Sequence, residues 1–122
     1  MRRAAVVVLA AVAVLVPAAP AAACSSDSAA STLYPRLVKA DGAFVGRLVK
    51  RRGNRFVYIV DTRVKGHIGS RIRVHGLRDC GPSRRKGRRI GMLLDRRHGR
   101  WEANAFSEVP AGALLKAAGI GP

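Results

Sequence analysis

Carboxylates are the scarcest resource of this 122-residue chain: seven Asp and Glu stand against 23 Lys and Arg, a formal net charge of +16. Asp61, Asp95, Glu102 and Glu108 are scattered, and Ser83 and the histidines form no nucleophile–base pattern, so a non-enzymatic protein is expected. Histidine and cysteine are also sparse. His67, His75 and His98 with two cysteines show no close ligand spacing, so neither a metal centre nor a cofactor is expected. There are only six aromatic residues, and Phe44, Phe56, Tyr58 and Trp101 fall at core-like positions. Single-strand nucleic-acid binders need exposed rings for base stacking, which argues against that partner. The longest apolar run, Ala4 to Val16, is 13 residues. A membrane-spanning helix needs about 20, so no transmembrane helix is expected in the mature chain.

What is present begins with an export pattern. Met1-Arg2-Arg3 precedes the apolar run, and Pro17 and a small-residue stretch lead to Ala21-Ala22-Ala23-Cys24. This reads as a signal peptide over residues 1–23, cleaved after Ala23, with a single domain over 24–122. The expected location is secreted and extracellular. The alternative is a lipid anchor on Cys24 at the outer face of the membrane, although Ala21 stands where such sites usually carry leucine. Cys24 and Cys80 allow one pairing, and an oxidising compartment favours a disulfide. Such a bridge, closing about half the mature chain, would stabilise it by roughly 3–4 kcal/mol. Lipidation of Cys24 would exclude it.

Residues 25–31 are small and polar, and Leu33 to Ala40 could form a short helical turn. Short β-branched and aromatic segments separated by glycine-containing turns follow, an all-β signature. Strands are expected over Ala43–Lys50, Arg55–Val64, Arg71–His75, Arg88–Leu94 and Trp101–Phe106, with Gly46 marking a bulge or bend. In the third, Ile72 and Val74 alternate with outward Arg71, Arg73 and His75. Asp95 to Arg100 reads as a turn, and Ser107 to Ala118 as a helix with Ser107 as its N-cap. The expected fold is a five-stranded OB-like barrel with a short C-terminal helix.

Several blocks also resemble a known superfamily. Cys24 at the mature N-terminus, the run Ala40-Asp41-Gly42-Ala43-Phe44-Val45-Gly46-Arg47, Tyr58 and Val60 followed by Val64-Lys65-Gly66, and Asp79-Cys80-Gly81 resemble the netrin-like, or tissue-inhibitor-of-metalloproteinases-like, proteins. The small exported bacterial members look most similar. The resemblance covers Cys24 to Leu115 and implies an OB-fold whose N-terminal cysteine is tied to a loop after the third strand, matching Cys24 to Cys80. Two departures occur together: Ser26 replaces the second cysteine of the family's Cys-x-Cys start, and Ala105-Phe106-Ser107 lacks its partner. The resemblance further implies an extracellular metalloprotease as target, its zinc chelated by the Cys24 amine and carbonyl, with Ser25 alongside.

The second functional lead is charge. Lys50, Arg51 and Arg52; Arg84, Arg85, Lys86, Arg88 and Arg89; and Arg96, Arg97 and Arg100 form basic clusters at expected turns and strand ends. Gathered on one rim, they would bind a polyanion. Export points to anionic cell-envelope polymers or phospholipid headgroups as partners. The bland reading is compositional: 18 of the 23 basic residues are arginine, as GC-rich coding produces.

Overall fold

The computed structural model describes residues 33–77 and 80–121. Its elements run α1 (Leu33–Lys39), β1 (Gly42–Arg52), β2 (Arg55–Lys65), β3 (Arg71–Gly76), β4 (Arg89–Arg97), β5 (Arg100–Ala103), β6 (Glu108–Val109) and α2 (Ala111–Ala117). The strands lie in the order β1-β2-β3-β5-β4, and β1 pairs again with β4, so the sheet closes on itself. β3 and β5 are parallel; the other pairings are antiparallel. This is the five-stranded OB-like barrel expected from the sequence, with β6 added beside β4.

Alternation along the strands builds two cores. Phe44, Tyr58, Ile72, Val74, Met92 and Leu94 point into the barrel. Tyr58 meets Phe44 edge-on at 5.3 Å, and its hydroxyl finds no hydrogen-bond partner among the described residues. The intervening residues Ala43, Val45 and Leu93 point outward, where they pack with Leu37 of α1, Val109 of β6 and Leu114 of α2. Thus the first half of β1 and most of β4 are buried on both faces. Gly91 allows the close approach of α2, because a Cβ there would lie 2.9 Å from the Leu114 side chain. Lys65 fastens the other helix, donating to the carbonyls of Leu37 at 3.1 Å and Val38 at 2.7 Å at the electronegative end of α1.

The expected irregularity at Gly46 is present: the β1–β2 register shifts between Val45 and Gly46. A Cβ at Gly46 would stand 2.2 Å from the Ile59 carbonyl oxygen, so the two backbones meet only because a side chain is missing. A second shift, between Leu48 and Lys50, leaves Val49 as the extra residue and returns Lys50 to the outer face opposite Val57.

Three boundaries differ from the sequence reading. β4 continues through Asp95, Arg96 and Arg97 to pair with β5, and the turn is only His98-Gly99. Both turn residues have positive φ, 53° and 74°, as a tight two-residue hairpin requires. The exposed charges there belong to a solvated hairpin arm rather than a loop. β5 ends at Ala103 instead of Phe106, because side chains take over the next backbone groups. The Asn104 carboxamide accepts from the Phe106 N–H at 2.8 Å, and the Ser107 hydroxyl accepts from the Asn104 N–H at 2.9 Å. Ser107 is therefore committed to this turn and does not cap α2, whose N-cap position is Pro110.

Candidate functional site

The helices pack on the outer face of the first half of β1, the second half of β2 and β4, and among the described residues nothing covers the outer face of the second half of β1, the first half of β2 and β3. Cross-strand register sets its side chains in three rows. Arg47, Ile59 and Arg71 form the first, Lys50, Val57 and Arg73 the second, and Arg52, Arg55 and His75 the third. Cations thus stand on β1 and β3 on either side of an apolar strip, Val57 and Ile59, on β2. Lys50, Arg52, Arg55, Arg71 and Arg73, with Val57, line one open groove.

Acidic groups frame the groove without entering it. At one end the Asp61 carboxylate takes the guanidinium of Arg47 at 3.4 Å and of Arg89 at 3.9 Å. On the β5 side Glu102 takes Arg100 at 3.5 Å. Among the described residues, none of the five groove cations forms an ion pair. Arg52 and Arg55 are direct cross-strand partners, a like-charge pairing that costs stability when nothing anionic lies between. His75 sits among the same charges. Its pKa is lowered first by burial and then by Arg100, Arg55 and Arg73, with Glu102 opposing.

The structure places the expected basic residues unequally. Lys50 and Arg52 line the groove; Arg51, opposite the inward Phe56, donates instead to the Gly53 carbonyl at 3.3 Å. Arg84, Arg85, Lys86 and Arg88 are exposed on the connection between β3 and β4, held against the β1 edge by the Gly87 N–H on the Leu48 carbonyl at 2.9 Å. Arg89 lies outside the groove, in the Asp61 pair. On the β4–β5 hairpin, the Arg96 guanidinium lies over the Trp101 ring at 4.8 Å, and the Arg96 backbone N–H donates to the Asp41 carboxylate at 2.8 Å. Arg97 and Arg100 are paired across that hairpin.

Arg55, Arg71 and Arg73 complete the groove and lie outside the basic runs, each isolated in sequence. The outward alternation of β3 was the available signal. Cys24 and Ser25, the residues of the protease-inhibitor reading, lie outside the described residues, and so does one end of the expected Cys24–Cys80 bridge. Cys80 itself is buried, beside the end of β3.

Among the described residues, no aromatic side chain lines the groove. Phe44, Phe56 and Tyr58 are inside the barrel, and the exposed Tyr34 belongs to α1. Among the described residues, no three His, Cys, Asp or Glu side chains gather as a metal site, and no helix is long and apolar enough to cross a membrane. No family model matches the chain, and no curated protein matches it.

Proposed function

We propose that this is an exported, non-enzymatic binding module that holds an anionic polymer of the cell envelope or its surroundings on the β1–β2–β3 face. The observation that carries the reading is the groove of five cations, Lys50, Arg52, Arg55, Arg71 and Arg73, none of which has a carboxylate partner among the described residues. Surface arginines normally sit among carboxylates. Here the carboxylates are spent at the margins, on Arg47, Arg89 and Arg100, and the centre is left with a net positive field. The strand 2–3 face is also where OB-folds commonly take elongated ligands.

Salt dependence tests the reading. Binding to a sulfated polysaccharide such as heparin should weaken steeply with ionic strength. Five phosphate-like contacts correspond to a log–log slope of about −3.5 by the single-strand relation. Arg71→Glu with Arg73→Glu should bring the slope to about −2 or lower in magnitude and remove most of the affinity. Arg84→Glu with Arg85→Glu, outside the groove, should cost much less. Binding that is absent at low salt, or insensitive to salt, would sink the proposal.

A further inference from the structure

We infer that the groove takes a single thin chain with phosphodiesters in its backbone and short hydrocarbon or polyol links between them, laid lengthwise along β2. This rests on the polyanion reading above and narrows it. The walls of the groove are side chains of β1 and β3, the two neighbours of β2, so they rise about 10 Å apart. A single extended chain fits between them. A duplex does not, and a flat bilayer surface would rest on the wall tips without reaching the Val57 floor.

The walls carry charge at a regular interval. Lys50 and Arg52 on one side, and Arg71 and Arg73 on the other, are each two residues apart, a repeat of about 6.7 Å along the strands. A chain that alternates charged and uncharged units would find cations on both flanks at each step. Four of the five groove cations are arginine. Its planar fork of N–H donors matches phosphate oxygens in pairs, which lysine cannot do.

The floor of the groove is apolar. Val57 lies on the floor of the groove, and Ile59, outside its lining, continues the apolar strip along β2 beyond it; both are half-buried. A purely inorganic polyanion would gain nothing from them, whereas the carbon links of a polyol phosphate chain would lie on them. Among the described residues, no ring lines the groove to stack a base. Nor does the groove offer an apolar prong for insertion into a bilayer: the large exposed apolar residues Tyr34, Val38, Val49, Leu77 and Ile120 are all absent from its lining.

The decisive comparison presents the same glyceryl phosphate group in two shapes. Soluble poly(glycerol phosphate) and vesicles containing phosphatidylglycerol would be titrated against the full mature protein at matched phosphate and low salt. The soluble chain should bind at least about tenfold more tightly, and Arg71→Gln with Arg73→Gln should weaken it by about tenfold at unchanged thermal stability. Lys50→Gln, on the opposite wall, provides a second variant if that pair disturbs β3, and it should weaken the chain as well. Equal or tighter binding to vesicles would overturn the single-chain inference while leaving a polyanion module standing. Binding that survives both groove variants, yet is lost with Arg84→Glu and Arg85→Glu, would move the site out of the groove and overturn the inference. If heparin, the soluble chain and vesicles all fail to bind, the proposed function itself falls.

Discussion

His75 stands on β3 between Arg55 of β2 and Glu102 of β5, with Arg73 two residues earlier on the same face. Burial, followed by the fields of Arg100, Arg55 and Arg73, holds its pKa below the ordinary value of 6.5, and Glu102 only partly opposes them. The folded state therefore binds this proton less readily than the unfolded chain does. The sign follows: the contribution to stability is fully present above about pH 6.5 and is lost as pH falls through the lower folded-state value. Urea unfolding of the wild type and of His75→Gln between pH 8 and pH 5 should show the wild type losing stability relative to the variant as the solution becomes acidic. Parallel pH profiles would mean that the imidazole feels none of this field. An anion seated between Arg55 and Arg73 would cancel much of that field, so the imidazole resonances should titrate nearer 6.5 with ligand bound.

At the scale of elements, the groove is left uncovered among the described residues because the helices pack on the other half of β1 and β2 and on β4. α2 contributes Leu114, fully buried against Gly91 and the outward side chains of β1 and β4. Leu114→Ala should cost about 2–5 kcal/mol, because the rigid sheet beneath cannot collapse into the space. Urea unfolding checks the magnitude. Polyanion affinity below the unfolding transition should stay unchanged, since Leu114 is not among the residues lining the groove; a parallel loss of binding would show that the helix side shapes the groove. The strands that build the groove were mostly readable. Alternation marked Ile72 and Val74 inward and Arg71 and Arg73 outward, and the structure agrees. What no local pattern signals is that Lys50 belongs with them. That depends on the bulge at Val49, which restores Lys50 to the outer face, and on β2 lying between β1 and β3. Misread boundaries have a similar cause. Asp95 to Arg97 are too polar to look like strand, and their ladder with β5 is a pairing made across the chain. Likewise, Ser107 has the chemistry of a helix cap but is claimed by Asn104 three residues earlier.

Across the whole molecule, a net charge of +16 on a chain this short is a self-repulsion that the fold must outweigh. The two cores are small, and a cross-link would offset part of that cost. Cys80 lies buried just beyond β3, beside the Gly76–Gly81 approach that also packs on Phe56. We propose that export removes residues 1–23 and that Cys24 then bridges to Cys80. Intact mass of the protein recovered from its native host decides this. A chain beginning at Cys24 that gains about two hydrogens on reduction would establish both the cleavage and the bridge. The reduced form should then be less stable by roughly 3–4 kcal/mol, the loop-entropy value for half the mature chain. A diacylglycerol adduct on Cys24 would exclude both the bridge and any zinc-chelating amine, and would place the groove at a membrane face. Reduction without loss of stability would mean that the barrel and its helices hold the charged face in place unaided.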